Sequence, residues 1–438
     1  MTEGKNILIV GGGWAGLSCA VELTRLGYTV QLFESARQLG GRARRVTLAD
    51  LTVDNGQHIL LGAYHNTLRL LAFLGVSDSV FLQQPLHLSL RDHHNNFIEL
   101  KATDWPAPLN IFFGLLFAKG FTLKNRLRAL QFGANLWRNK VMPERDISVA
   151  DLLQQKHQNE FLVKHLWEPL CLASLNTPIE IASAQVFIRV LTDAFCRQQQ
   201  DSDLLLPCVD LSALLPDRAS AYIEQQGGRV HLSHRVDQLL IEQARVIGVQ
   251  CLDKIHRVDH LVLALPPYAC QPLLKPEPAL QILAHQLNGF SYEPICTVYL
   301  KYPSTVRTDQ PMEGLIGTTA QWLIDRRITG QDGLIAVVIS SQGPHIYMDH
   351  TQLAEHIRVE LKHAFPHWPL PEDVWVICEK RATFSCRVDI NRIRPDNVTA
   401  VQNLWLAGDY TNTGYPATIE GAVQSGLRCA QHLHQYQQ

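Results

Sequence analysis

The stretch ILIVGGGWAGLSCAVELTRLGYTVQLFE, residues 7–34, decides the fold expected for this chain. Its apolar start predicts a strand that is buried on both faces. Apolar residues at helical spacing follow a glycine-rich turn, and an alternating run then ends at Glu34. This order of strand, turn, helix and strand predicts the first unit of a parallel α/β sheet.

The glycines of this unit have the spacing G-x-G-x-x-G. Gly11 permits a tight turn, Gly13 lets the backbone approach a pyrophosphate, and Gly16 lets the helix pack close to the strand. The helix begins around Ala15, so its first N–H groups point toward bound phosphates. Glu34 stands 18 residues past Gly16, where a ribose 2′-hydroxyl is usually held. The unit therefore predicts nucleotide binding, the alternative being a glycine-rich turn of some other α/β protein.

Composition limits the other functions. A chain of 438 residues is long enough for at least two domains, and a net charge of −2 gives no field that would attract nucleic acid. The ten cysteines form no C-x-x-C pair, so we expect no metal site and free thiols in a reducing cytosol. The first strand starts too early for a signal peptide, and no apolar run is long enough to span a bilayer. We therefore expect a cytoplasmic protein.

One segment departs from this balance, because residues 105–143 contain no Asp or Glu. Its first part, WPAPLNIFFGLLFAKGF, is apolar and aromatic, and the cations that follow are Lys119, Lys124, Arg126, Arg128, Arg138 and Lys140. An apolar stretch beside a basic one is typical of a surface that lies on an anionic membrane, which predicts peripheral docking through residues 105–140. A buried core helix followed by an ordinary basic helix explains the pattern equally well.

A second glycine pair follows the first unit in QLGGRARRV, residues 38–46. Gly40 and Gly41 permit close backbone approach, and Arg42 and Arg44 can neutralise a pyrophosphate. The alternative is a loop that is basic by chance.

The stretch NLWLAGDYTNTGYPATIEGAVQSGLRCAQHL, residues 403–433, contains another glycine turn. It predicts a short strand at residues 404–406, a break at Gly408, and a helix in which Pro416 takes the first position.

The start of that helix indicates which nucleotide binds. The N–H groups of Thr418 and Ile419 can stabilise the negative charge of a reduced flavin, and Asp409 can hold a ribityl chain. A terminal strand, turn and helix that return to an N-terminal glycine fingerprint resemble the FAD domain of glutathione-reductase-like flavoproteins. We therefore expect FAD rather than a nicotinamide nucleotide.

The middle of the chain supplies the third part of such a domain. Val236, in GGRVHLSHRVDQLLIE, takes the position where these proteins set backbone against adenine, and DHLVLALPP predicts a buried strand at residues 259–267. The expected fold is α/β, a glutathione-reductase-like FAD-binding Rossmann domain with an inserted α+β substrate domain. The FAD-binding domain is expected at residues 1–75, 206–275 and 386–438, and the substrate domain at residues 76–205 and 276–385.

Two stretches carry a closer resemblance, VDNGQHILLGAYHNTLRLLAFLGV at 53–76 and LWEPLCLASLNTP at 166–178, and GYPATIEGAVQSG at 414–426 is similar to a motif of the wider superfamily. With them the chain resembles the flavin amine oxidase and phytoene desaturase superfamily, and within it the bacterial hydroxysqualene dehydroxylases, also called squalene-associated FAD-dependent desaturases. The resemblance implies an FAD-dependent oxidoreductase of squalene and hopanoid biosynthesis, which converts hydroxysqualene to squalene by reductive dehydroxylation with hydride from reduced flavin. It implies a C30 isoprenoid substrate, an external reductant such as NADPH or a reduced carrier, and work at the inner face of the bacterial membrane.

The resemblance also assigns residues. It implies that Gly56, Gln57, His58 and Ile59 lie along the flavin. Amine oxidases of the superfamily often attach FAD to a cysteine near the C-terminal helix, but YTNTGYPAT contains none, so we expect non-covalent FAD.

The catalytic residues are less well defined by the sequence. His58 is either a proton donor or flavin neighbour, or a histidine that hydrogen-bonds local backbone. Glu168 is either an acid with a raised pKa in an apolar tunnel or the partner of an arginine, and Asn176 and Asp193 are equally open. Three alternatives to dehydroxylation stay open: a carotenoid-type desaturase acting on phytoene or diapophytoene, a flavin amine oxidase and a non-catalytic flavin-bound escort. The sequence predicts no oligomeric state.

Overall fold

The computed structural model describes residues 6–92 and 96–438. In chain order its strands are β1 (Ile7–Val10), β2 (Val30–Phe33), β3 (Arg45–Leu48), β4 (Leu51–Asp54), β5 (Leu60–Leu61), β6 (Val80–Gln83), β7 (His87–Asp92), β8 (Phe97–Lys101), β9 (Leu204–Pro207), β10 (Arg229–His231), β11 (Val236–Glu242), β12 (Arg245–Cys251), β13 (Lys254–Arg257), β14 (His260–Leu263), β15 (Tyr292–Lys301), β16 (Met312–Ile316), β17 (Trp322–Asp325), β18 (Leu334–Ser340), β19 (Asp373–Phe384) and β20 (Leu404–Leu406). Its helices are α1 (Trp14–Arg25), α2 (His65–Phe73), α3 (Leu109–Leu116), α4 (Leu123–Trp137), α5 (Val149–Gln155), α6 (Glu160–Leu162), α7 (Glu168–Leu175), α8 (Ala184–Phe195), α9 (Leu211–Leu214), α10 (Pro216–Gln225), α11 (Pro267–Leu274), α12 (Gln281–Asn288), α13 (His350–Ala364) and α14 (Ile419–Gln437).

A parallel sheet in the order β10-β2-β1-β14-β20 forms the first layer. Its strands come from three separated parts of the chain, and β1 lies at the centre between β2 and β14. On this sheet α1 packs against α14, and Gly426 lets them approach closely, because a Cβ there would lie 2.2 Å from the Ala15 carbonyl oxygen. The predicted α/β class is confirmed, and β20 coincides with the predicted strand.

A mixed sheet in the order β19-β15-β18-β17-β16-β7-β8 forms the floor of the other half. Its outer face packs on α13 through an apolar cluster that includes Val298, Leu300 and Ile357. Its inner face belongs to the main core and carries Tyr299 and Ala336. The inner face is therefore turned toward the first layer.

Helices α3 to α8, which lie between β8 and β9 in the sequence, form a helical layer. We call residues 105–142 the α3–α4 hairpin, because α3 and α4 pack against each other there. α4 also packs against α8, which contacts α5 and α7 as well. A π-helical turn at Val163–Trp167 separates α6 from α7. Within residues 6–92 and 96–438, no helix is both long and apolar enough to cross a bilayer.

Two expectations about local structure are wrong. Cys296 and Cys378 form a disulfide instead of free thiols, because antiparallel pairing of β15 with β19 sets them opposite each other. Pro416 is not the first residue of the last helix, which begins at Ile419. The extended Thr418 caps it, since its side chain accepts from the Gly421 N–H at 3.1 Å.

Candidate functional site

The glycine turn between β1 and α1 has the geometry that its spacing predicts. Gly11 has a φ of 110°, and a Cβ there would lie 2.4 Å from the Ala264 carbonyl oxygen. A Cβ on Gly16 would lie 2.0 Å from the Gly11 carbonyl oxygen, so packing requires both glycines. The Cβ direction of Gly13 has no atom within 4 Å. Gly13 therefore faces open space, from which a phosphate could approach the backbone.

The carboxylate of Glu34 lies at the rim of this turn. Its Oε2 accepts from the Gly12 N–H at 2.7 Å, and its Oε1 accepts from the Ala36 N–H at 2.7 Å. These donors fix the carboxylate and leave lone pairs for a hydroxyl group. The Glu34 carbonyl accepts from the His234 N–H at 2.8 Å, which brings the start of β11, with the buried Val236, toward the same end of β2.

The loop after β2 closes over the glycine turn. The Gly40 N–H donates to the Gly12 carbonyl at 2.8 Å, and a Cβ on Gly41 would lie 3.2 Å from Gly13 Cα. Two glycine backbones therefore meet where the sequence predicts a pyrophosphate.

Arg42 and Asp409, both predicted as cofactor residues, come from opposite ends of the chain and are in contact. Arg42 Nη2 donates to the Asp409 carboxylate at 2.8 Å, and Nη1 donates to the Ala382 carbonyl at 2.7 Å. Burial opposes the charge of the guanidinium, but Asp409 outweighs this effect and raises the pKa of Arg42. The sequence predicts that Arg42 neutralises a pyrophosphate. In the structure its positive charge is instead paired with Asp409.

The C-terminal turn leads into α14. The Gly408 N–H donates to Ser425 Oγ at 2.9 Å, which fixes the turn on the helix. The Thr418 N–H donates to the Pro416 carbonyl at 2.8 Å and is therefore engaged within the chain. Ile419 provides one of the first amides of α14, which have no acceptor inside the helix. Of the two predicted amide donors, Ile419 is the one that remains for an anionic group.

A buried polar network, which the sequence did not predict, ties the segment after β4 to the large sheet. Arg326 forms a 3.1 Å ion pair with Asp54 and donates to Gln57 Oε1 at 3.0 Å. Gln57 Nε2 donates to the Tyr299 hydroxyl at 2.7 Å, and this hydroxyl donates to the Asp54 carbonyl at 2.7 Å. Burial raises the pKa of Asp54, although the charge of Arg326 opposes this.

Beyond this network, Gly56 faces a polar atom that lacks a partner. The Cβ direction of Gly56 has one atom within 4 Å, the Thr297 hydroxyl oxygen at 3.9 Å. Thr297 is buried, and in the described part of the chain its hydroxyl has no hydrogen-bond partner. A buried hydroxyl without a partner costs free energy until a ligand or water completes it. Thr297, which the sequence did not single out, is therefore suited to a polar ligand.

His58 and Ile59 follow, both half-buried. His58 Nδ1 donates to the Gly56 carbonyl at 3.0 Å, and burial lowers the pKa of this imidazole. The neutral ring has its proton on Nδ1, so Nε2 is an acceptor. This geometry suits a neighbour of the flavin better than a proton donor.

A small apolar cavity adjoins the start of α14. Its lining includes Leu61, Ala63, Tyr64, Ser174, Val190, Asp193, Ala194, Tyr415, Pro416 and Thr418. The Tyr415 hydroxyl donates to Asp193 at 2.7 Å, and Arg189 and Arg197 pair with the same carboxylate at 2.6 and 2.8 Å. Burial and Asp193 raise the pKa of Tyr415. The cavity therefore contains a protic group whose position is fixed.

Glu168 and Asn176 lie elsewhere. Glu168, at the start of α7, lines an open cleft of about 430 Å³ that includes His345 and Glu360 but none of the predicted cofactor residues. Burial and the nearby Glu180 raise the pKa of Glu168. The Asn176 side chain accepts from the Ser341 N–H at 2.6 Å and donates to Thr383 at 2.9 Å, so its role is structural.

These residues fit FAD. The glycine turn with the open Cβ direction of Gly13, the rim carboxylate Glu34 and the Ile419 amide supply the kinds of group that a flavin dinucleotide contacts. The orphaned Thr297 hydroxyl adds a polar contact beside Gly56. Residues 6–92 and 96–438 contain no group of three or more His, Cys, Asp or Glu side chains able to hold a metal ion.

Residues 14–434 match the family described as flavin containing amine oxidoreductase. The chain is 29% identical to hydroxysqualene dehydroxylase from Sinorhizobium fredii over 97% of each chain. It is 23% identical to the chloroplastic/chromoplastic zeta-carotene desaturase of Arabidopsis thaliana, over 98% of this chain and 85% of the relative. Among solved structures, cyclohexylamine oxidase from Brevibacterium oxydans superposes with a TM-score of 0.73 at 16% identity and 99% coverage of both chains.

Proposed function

This chain belongs to the family of flavin-containing amine oxidoreductases, and from that premise we propose that it is an FAD-dependent hydroxysqualene dehydroxylase. The observation that carries the proposal is the end-to-end similarity to relatives of that name, which match this chain in length as well as in sequence. The substrate would be hydroxysqualene, and the product would be squalene, for squalene and hopanoid biosynthesis.

The contacts above support the following proposal for the FAD site. Gly11, Gly13, Ala15, Gly16 and Gly41 would hold the pyrophosphate, Glu34 the ribose and Val236 the adenine. Gly56, Gln57, His58, Ile59, Gly408, Asp409, Thr418 and Ile419 would border the flavin, with Thr297 as an addition from the structure. Arg42 would act through its ion pair with Asp409. No cysteine lies between residues 409 and 418, which supports non-covalent binding.

Replacement of C–OH by C–H consumes one hydride and one proton and releases water. When bound and reduced, FAD supplies the hydride, and an external reductant such as NADPH or a reduced carrier regenerates it. The chain supplies the proton: as the C–O bond breaks, its electron pair goes to oxygen, which takes the proton and leaves as water. A pocket around the reacting carbon would exclude other water. The cavity beside Tyr415 is about 10 Å³ in the free chain and would have to widen to admit the substrate.

We assign this proton to the Tyr415 hydroxyl. Tyr415 lies beside Thr418 in this cavity, and its O–H, which Asp193 accepts in the free chain, would have to turn to the departing oxygen. Arg189 and Arg197 would keep Asp193 paired, and Arg189 would lie beside the tyrosinate that the transfer leaves. Glu168 is six residues before Ser174, the residue of α7 that lines this cavity, or about 9 Å along the helix. Glu168 lines a different cleft, so it is only the second candidate acid, and its raised pKa supports that role.

The redox state of the enzyme tests the reaction. Anaerobically reduced enzyme should convert hydroxysqualene to squalene while its flavin absorbance returns to the oxidised spectrum, and oxidised enzyme alone should not. The similarity to zeta-carotene desaturase favours a second candidate, a phytoene or diapophytoene desaturase, which needs oxidised flavin. If oxidised enzyme introduces double bonds into squalene or phytoene and reduced enzyme leaves hydroxysqualene unchanged, the desaturase replaces the dehydroxylase.

A water-insoluble substrate also suggests where the protein works. We propose that it is peripheral on the inner face of the bacterial membrane, where a C30 isoprenoid dissolves in the bilayer and can reach the protein without crossing water.

A further inference from the structure

The α3–α4 hairpin exposes many large apolar side chains. In the described part of the chain, eight of 23 such exposed side chains fall between Trp105 and Met142. Phe117 is 70% exposed, Leu123 64% and Leu127 55%. Single exposed residues of this kind are normal, but a group on two consecutive helices indicates a surface that something covers.

The same two helices also have a buried face. Residues of this face are Asn110, Gly114 and Leu115 of α3 and Asn125, Ala129, Leu130, Phe132 and Leu136 of α4. The core therefore accounts for only part of the apolar sequence. Each helix has one face in the core and a second apolar face in solvent. The two alternatives that the sequence leaves open, a core helix and a membrane-docking surface, therefore apply to opposite faces of the same helices.

Cations border the exposed face. Lys124 is exposed and Arg128 is half-exposed beside Leu123 and Leu127. Arg126 differs from them, because its Nη1 donates to the Leu116 carbonyl at 3.0 Å and so links α4 to the end of α3. Residues 105–143 contain no acid, but Lys119 is paired with Glu99 of β8, so the charge next to the exposed apolar side chains that complements an anionic partner is that of Lys124 and Arg128.

From this combination we propose that the α3–α4 hairpin docks on an anionic lipid bilayer, with its apolar side chains at the acyl boundary and Lys124 and Arg128 among the headgroups. The inference rests on the proposed function for its purpose, because a C30 substrate collects in that bilayer. α4 packs on α8, and Val190 and Ala194 of α8 line the cavity beside Tyr415. One helix layer thus separates the docked face from the cavity.

The test uses the purified full chain, without substrate, sedimented with phosphatidylcholine vesicles that contain or lack phosphatidylglycerol. The double variant Lys124→Gln/Arg128→Gln should bind anionic vesicles about 25-fold more weakly, because each basic residue near the surface contributes about fivefold. Leu123→Ser/Leu127→Ser should lose binding that persists at high salt. Matched controls elsewhere on the surface, Lys254→Gln/Lys275→Gln and Ile282→Ser, should bind as the wild type does.

The following results would contradict the proposed docking surface. It fails if the wild type does not sediment with anionic vesicles, or if the hairpin and control variants bind equally. It also fails if Leu123→Ser/Leu127→Ser only converts an oligomer to monomers, since a second copy then covers this face. Unchanged flavin content would verify that the variants are folded. Enzyme that binds vesicles but leaves hydroxysqualene unchanged would refute the reaction alone, whereas enzyme that reacts in detergent but ignores vesicles would refute the docking alone.

Discussion

In the glycine turn, the groups around Gly12 and Glu34 have partners inside the chain, whereas the α3–α4 hairpin turns large apolar side chains such as Phe117 into solvent. A cofactor of fixed shape is met by backbone held in one geometry. A fluid surface requires only exposed apolar area and charge. A single substitution in the turn should therefore impair cofactor binding by local steric conflict. Membrane binding by the hairpin should instead weaken by a small amount with each substitution.

The largest effect is expected at Tyr415. It lines the same cavity as α8, and α8 in turn packs on α4 of the hairpin. Tyr415→Phe should lower kcat by about 10²–10⁴ with little change in KM, because it removes the proposed proton donor. Single-turnover oxidation of reduced enzyme by hydroxysqualene measures this step. The exposed Tyr436→Phe serves as the control. A full loss in Glu168→Gln, with Tyr415→Phe unaffected, would transfer the role to Glu168.

The second prediction concerns Arg326 in the buried polar network, which, like the glycine turn, has its polar groups paired within the chain. Arg326→Met should lower the free energy of unfolding by about 3–5 kcal/mol, because it leaves the buried Asp54 carboxylate without its ion pair. Denaturant unfolding at neutral pH measures the loss. Arg392→Met, in an exposed pair with Asp389, should change stability little. Equal losses in the two variants would contradict the view that this network is held rigidly.

A glycine from each region sharpens the comparison further. Gly13 in the turn and Gly133 in the hairpin both have open Cβ directions, so the first side-chain carbon of a substituted residue meets no atom at either site in the protein alone. Gly13→Val should weaken FAD binding by about 1–3 kcal/mol, because its side chain occupies the approach to the pyrophosphate. Titration of the apoprotein with FAD measures this. Gly133→Val should bind FAD normally, and matching losses would remove the distinction between the regions.

The smallest effect is a pH dependence at Asp203, beside β9. Burial and the neighbouring Asp201 raise the pKa of Asp203 to about 6. Because this folded pKa lies above that of an unfolded aspartate, the folded chain binds the additional proton, and this group favours folding more as the pH falls from about 7 to 4. Asp203→Asn should therefore raise stability by about 1 kcal/mol at pH 8 and hardly at all at pH 4. Melting curves at both pH values test it, and equal shifts would argue against the titration.

The parts of the fold that depend on neighbours in sequence could be predicted. The turn at Gly11 and Gly16, the acid at Glu34 and the strand β20 follow from local spacing, because glycine geometry and apolar runs act over a few residues. The start of α14 could not be predicted, since the Thr418 side chain caps the helix two residues after Pro416, which was expected to open it.

Contacts between residues far apart in the sequence could not be predicted, for a different reason. Asp54 and Arg326 are 272 residues apart, and Asp193 and Tyr415 are 222 apart, so no local pattern links either pair. The disulfide of Cys296 with Cys378 depends on the register of two strands, which cysteine spacing does not reveal. The exposed face of the α3–α4 hairpin likewise appears only once burial is known.

The order of the parallel sheet has a consequence for how the protein is made. β20 is its edge strand, and α14 packs on α1, so the first helix of the chain waits for the last one. Domains usually fold as their residues leave the ribosome, starting at the N-terminus. Here the sheet that contains β1 is completed only when β20 emerges, and its helix layer only when α14 follows. Cofactor loading should therefore follow synthesis, and chains cut short within the last helix should accumulate as cofactor-free material that proteases remove.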